Sequence, residues 1–332
     1  MKKIIKALFI ILFVFPIDSW SQDFHLSQYD AAPLNVNPAL TGAFMGEYRL
    51  HAHYRNQWMA VATKPFTTGL VSFDMNKGKW GFGGQIANFR AGLGGYNVAQ
   101  VMFSSAYKLI FGSSKSHIIS FGLQAGAYQK SINASSLTFA TQYVKSNGGE
   151  FITSLPNGEN FINSSFFNLD VVGGIMYTYS KFNSKLNPFI GATFFHLNMP
   201  KESFLGESNQ LLIRSQVQLG ARWAINEKWT LTPKAFFQYQ EKAEEITFGL
   251  MGQYYMKDPD FFLLFGGTYR NDNDAIVLEL GGKYANFIGR ISYDINISTL
   301  KTVSNGRGAS ELSLTYVFSR PEPHPLPTCP KL

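Results

Sequence analysis

The chain is nearly devoid of cysteine, with one in 332 residues, Cys329, close to the C-terminal end. A single thiol forms no internal disulfide, so stability must come from a large sheet, a large core or a membrane. Charge is also scarce. Asp, Glu, Lys and Arg make up 15% of the residues, and the formal net charge of +7 is scattered, without the basic cluster that nucleic-acid binding requires. No convincing stretch keeps helical periodicity beyond about two turns. Catalytic groupings are missing as well: no serine sits in a G-x-S-x-G elbow, and no two carboxylates stand out as acid and base. The stretches GFGGQ (81–85) and GLGG (92–95) run into strand pattern, whereas a dinucleotide fingerprint needs a helix, so they read as barrel bends or loop glycines. His51 and His53 share a strand face but lack a nearby third ligand, and read as polar residues facing an interior. Nothing calls for a cofactor or a metal, and the chain reads as a non-enzyme.

What is present begins with a leader. Lys2, Lys3 and Lys6 precede the apolar run ALFIILFVFP and the small residues Ser19 and Ser21, the pattern of a signal peptide over 1–21 cut before Gln22. The run is short against the roughly 20 apolar residues that span a bilayer, and no cysteine near the cut supports a lipid anchor. Residues 22–46 follow as an irregular, ordered segment. Pro33, Pro38 and Gly42 rule out a regular strand or helix there and let the segment fold under or within the mouth of whatever follows.

From residue 47 the theme is alternation. Tyr48, Leu50, Ala52 and Tyr54 face one way while Arg49, His51, His53 and Arg55 face the other. About fourteen such segments run to residue 319, most of them roughly 10 to 16 residues long, against about 5 to 6 for a soluble strand. Aromatics cluster at their ends, as membrane-interface girdles require. Short connections such as NKGK and NEK alternate with long ones, above all Ile132 to Ser164. These features give an all-β fold, a transmembrane antiparallel β-barrel of about 14 strands of the outer-membrane type over 47–319. Arg49 and Arg55 should face the lumen and find carboxylates such as Asp170, Glu279 or Asp294. Such a strand number lies between filled and open barrels, so the interior is either partly open or plugged. Residues 320–332 form a Pro-rich tail, extended or unstructured, whose Cys329 could pair only with another chain.

The block PLNVNPALTG followed by YR and then YRNQW resembles the start of the PorP/SprF family, outer-membrane proteins of the type IX secretion and gliding machinery of Bacteroidetes. The SNGRGASELSLTYVF hairpin and the Pro-rich tail extend the resemblance over the mature chain. It implies an outer-membrane protein that works with periplasmic and outer-membrane secretion machinery or with one secreted cell-surface adhesin, as anchor or adaptor. It also marks Asn37, Pro38, Gly42, Tyr54, Arg55, Asn56, Gln57 and Trp58 as candidate partner or assembly contacts, with Trp58 alternatively an interface anchor and Asn56 a turn residue. A channel for a hydrophobic or small polar solute is the alternative, resting on strand count and polar inner face.

Overall fold

The computed structural model describes residues 23–318, apart from 60–63, 146–148, 160, 162, 182, 207–208, 259, 272–273 and 300. The leader expected at 1–21 and the tail expected at 320–332 lie outside the described residues. In chain order the strands are β1 (Tyr48–Gln57), β2 (Phe66–Lys77), β3 (Trp80–Ala91), β4 (Tyr96–Phe111), β5 (His117–Ser131), the short β6 (Tyr143–Val144) and β7 (Glu150–Phe151), β8 (Ser165–Tyr179) and β9 (Leu186–Phe195). There follow the short β10 (Lys201–Glu202) and β11 (Asn209–Gln210), then β12 (Arg214–Ala224), β13 (Trp229–Gln240), β14 (Ala243–Met256), β15 (Phe261–Arg270), β16 (Ala275–Tyr284), β17 (Phe287–Asn296) and β18 (Arg307–Phe318).

Fourteen of these close into one antiparallel barrel in which each strand pairs with its neighbours in sequence and β1 returns to pair with β18. The expected class and strand number are those observed. The sequence reading did not foresee the two small hairpins, β6–β7 and β10–β11, which lie in the two long connections after β5 and β9. One end of the barrel therefore carries long loops and the other short turns. We call them the loop end and the turn end.

The polarity of the wall is the reverse of a soluble protein's. Phe103, Phe167, Leu169, Leu278 and Ile291 point outward and are more than half exposed, whereas the buried set includes His51, Ser72, Asp74, Gln124, Glu279, Asp294 and Glu311. A soluble sandwich would bury the apolar face. Only hydrocarbon outside and polar contacts inside make this arrangement stable, and closure leaves no strand edge with unpaired backbone groups. Rings gather at both ends of the wall. Trp80 lies 4.8 Å from Tyr107, Trp229 4.8 Å from Tyr254 and Phe287 4.4 Å from Tyr316 at the turn end. Trp58 lies 4.6 Å from Phe66 at the loop end. The wall predicts a heat-modifiable band on gels and flotation with outer-membrane vesicles. Protease added to whole cells is expected to nick the Ile132–Ser164 connection, and first cleavage in the turn between β8 and β9 would mean that the barrel is inverted.

Candidate functional site

The lumen is occupied by the chain's own residues 23–46. Sequence reading expects irregular structure there. The segment instead contains three single helical turns, Tyr29–Ala31, Pro33–Val36 and Pro38–Leu40, joined by single residues, Ala32 and the extended Asn37. Each turn satisfies backbone groups locally, which a segment away from bulk water requires. It enters beside the loop ends of β9 and β12, where Asp23 meets His196 at 2.7 Å and Arg214 at 3.1 Å. It leaves at the turn end, where the Gly42 amide donates to Asp74 Oδ2 at 2.7 Å.

The upper half is held by a charged hub. Arg55 of β1 and Glu311 of β18 stand opposite each other in register and form an ion pair. Glu311 also accepts from the backbone N–H groups of Ser27 and Gln28 at 2.6 and 2.9 Å, and pairs with His53 Nε2 at 3.0 Å. Ser27 Oγ donates to Asp294 at 2.7 Å while accepting from Arg55 and Arg270 at 2.7 and 2.8 Å. Gln28, fully buried, donates to Ser292 and accepts from Ser313. Lower down, Asp30 takes Arg290 at 2.8 Å and Lys234 at 3.1 Å, and Tyr29 stacks on Phe236 with ring centres 4.6 Å apart. Arg49 and Arg55 thus face the lumen as expected. Asp294 is a partner of Arg55, but Arg49 pairs with Asp74, Asp170 with His196 and Glu279 with Arg290.

The lower half is held by shape. Asn37 donates to the carbonyls of Ile175 and Ala192, and its Oδ1 accepts from the Ala39 N–H at 2.9 Å. Lys108 Nζ reaches the Gly42 carbonyl at 3.0 Å. Behind these contacts the wall is glycine. A Cβ on Gly81 would stand 2.0 Å from the Thr41 carbonyl oxygen, on Gly122 2.1 Å from the Ala39 nitrogen, and on Gly174 2.1 Å from Asn37 Oδ1. Gly42 itself has φ +68 and lies against Gly81, a conformation and a contact that suit glycine alone. To the reading of GFGGQ as barrel bends or loop glycines the structure adds a close approach: Gly81 seats Thr41 and Gly42 of the luminal segment, and Gly83 faces Leu34.

Among the candidate contacts, Asn37, Pro38 and Gly42 lie against the inner wall with no surface to offer a partner while the segment is seated. Arg55 is in the hub, Asn56 and Gln57 close β1 at the loop end, and Tyr54 points outward at 51% exposure. Trp58 has φ 63 and packs on Phe66. Sequence reasoning missed Glu311, Asp74 and the glycine seats. Their signal was an acidic or glycine residue at an inward position of an otherwise long strand.

At the loop end, burial disfavours the charged imidazole of His196, but the carboxylates of Asp23 and Asp170 against its two ring nitrogens override this and raise its pKa to about 9. Burial would likewise push Asp23 up, yet Arg214 and His196 hold it well below the carboxylate range.

Two outcomes follow. Gly122→Val overpacks the seat, at a cost of about 1–3 kcal/mol, so the amides of Asn37 and of residues 39–42 should exchange about tenfold or more faster while the barrel stays folded. Unchanged protection would show that these contacts do not hold the segment. The His196 contribution is complete below its ordinary value of 6.5 and is lost as pH rises through about 9. Hydrogen exchange of residues 23–28, corrected for intrinsic base catalysis, should therefore rise between neutral pH and pH ~10, and His196→Gln should flatten that rise.

Comparison with solved structures returns outer-membrane barrels. The monoaromatic hydrocarbon channel CymD shares 13% identity over 88% of this chain and 94% of its own, with a TM-score of 0.52. A deletion mutant of the monoaromatic hydrocarbon channel TodX shares 12% over 85% and 93%, with a TM-score of 0.50. At such identities the likeness is one of fold. No curated protein matches the chain. The family described as type IX secretion system membrane protein PorP/SprF matches residues 19–316, nearly the whole barrel together with the luminal segment, and the chain belongs to that family.

Proposed function

We propose that this protein is a non-enzymatic component of the outer membrane that serves the type IX secretion system as an anchor or adaptor, for the machinery or for a secreted cell-surface adhesin, with the turn end toward the periplasm. The observation that carries this reading is the seated luminal segment. It runs from the loop end to the turn end and is tied in by Asp23, Ser27, Gln28, Asp30, Asn37 and Gly42. Such a filling narrows any free path across the barrel and gives a docking protein a rigid body. Asn37, Pro38 and Gly42 then contribute to assembly from within, by holding the segment's shape, and Tyr54, Gln57 and Trp58 remain the surface candidates.

Capture of the tagged protein from cross-linked native membranes, followed by mass spectrometry, should recover periplasmic secretion proteins or one surface adhesin. In planar bilayers the purified barrel should show no steady conductance. Glu311→Gln, which removes the carboxylate that holds Arg55, Ser27 and Gln28, should introduce open events, since unpairing a buried charge costs about 3–5 kcal/mol. Steady wild-type conductance without copurifying partners would replace this reading with the channel one.

A further inference from the structure

Below the luminal segment the barrel keeps a cavity of about 1240 Å3 that reaches the turn end. Small-molecule sites enclose about 300–1,000 Å3, so this space suits a larger occupant. Its apolar part includes Val36 and Leu40 of the luminal segment and Met251 and Leu264 of the wall. Its charge is mainly basic, eight lysines and arginines against the three carboxylates of Asp30, Glu47 and Glu227.

Arg222 of β12 carries the argument. It lies opposite Asn187 in register, faces the cavity, and has a buried Nε with no partner among the described residues. Five other lumen arginines each have a carboxylate: Arg49 has Asp74, Arg55 has Glu311, Arg214 has Asp23, Arg270 has Asp274 and Arg290 has Asp30. Around Arg222 the cavity wall offers neutral groups, Gln218, Thr230, Thr232 and Gln253. At the mouth, Lys79 and Lys228 stand on two different turns, again without ion-pair partners among the described residues. A half-buried guanidinium without a counter-charge is costly, and a carboxylate delivered to it gains a charge-assisted, forked hydrogen bond. The surrounding strands are joined by their ladders from β12 round to β18 and on through β1 to β2, so the entrance faces water at the turn end.

We infer that this cavity is a docking site for an acidic peptide segment bearing apolar side chains, presented from the turn end, with Arg222 as its carboxylate anchor and Lys79 and Lys228 as its entry charges. The inference rests on the adaptor reading and gives the chemistry of one partner. Water-borne access and the size of the space favour a peptide over a lipid headgroup or a small anion.

The test uses the purified, folded full chain in neutral detergent and a fluorescein-labelled octapeptide of alternating glutamate and leucine. Anisotropy should show saturable binding that weakens with salt. Arg222→Gln should weaken it about tenfold or more, Arg222→Lys should fall between the two, and both variants should keep the wild-type heat-modified band. Equal affinity for the peptide with glutamine in place of glutamate would overturn the proposal. So would unchanged affinity in Arg222→Gln, or complete displacement by millimolar inorganic phosphate or by anionic phospholipid vesicles. Because binding is read on the isolated barrel, this test and the copurification test succeed or fail separately.

Discussion

Hydrocarbon outside the barrel offers no hydrogen-bond partner, so the polar side chains of the wall's middle are driven inward, where charges must find one another. The rest of the structure depends on that constraint. Fourteen strands enclose more space than their own side chains fill, and the inward arginines of β1, β12, β15 and β17 bring positive charge into it. Carboxylates on the wall answer part of that charge. The luminal segment answers more, bringing Asp23 to Arg214 and Asp30 to Arg290, and it lends backbone donors to Glu311. The segment is therefore the counter-charge and the filling of the barrel at once. It is held by ion pairs above, and below by bare glycine backbone with Asp74 and Lys108 fixing its end at Gly42.

Such a lumen bears on the choice between adaptor and channel. The likeness to hydrocarbon channels is one of architecture at 13% and 12% identity, and architecture is shared by many functions. What this chain adds is a lumen committed to internal contacts over most of its depth, with open space only toward the turn end. That distribution suits a body that receives something from one side better than one that passes solutes across.

Much of this was legible in the sequence, for definite reasons. Period-two alternation in β1 separated Leu50, Ala52 and Tyr54 from Arg49, His51, His53 and Arg55, and the wall follows that division because hydrocarbon enforces it. Strand number followed from long segments divided by turn residues. The path of residues 23–46 was not legible, since it depends on contacts up to 285 positions apart, such as Ser313 to Gln28. Nor were the glycine seats. An inward glycine in a strand looks the same whether it relieves a bend or admits a neighbouring backbone, and only the neighbour distinguishes them. The pairings of Arg49 and Glu279 were missed for a different reason: Asp74 stands directly opposite Arg49 across β1–β2 and Arg290 diagonally opposite Glu279 across β16–β17, and strand register is not written in the alternation. Of the candidate contacts, Asn37 and Gly42 stood out by turn chemistry, and that chemistry proved to serve a buried path.

The opposition of Arg55 and Glu311 across the β1–β18 pairing has a consequence for biogenesis. That pairing joins the first and last strands, so it is the seam that remains open until the whole chain has emerged. Glu311 bonds across the seam to Arg55 and His53, and inward to the Ser27 and Gln28 amides. Parting the seam and withdrawing the segment break bonds to one and the same carboxylate, so each event is thermodynamically linked to the other. A chain that zipped shut with its lumen empty would forgo those bonds. The order of insertion, N-terminal segment first and last strand around it, is thereby favoured by the same group that holds the finished barrel.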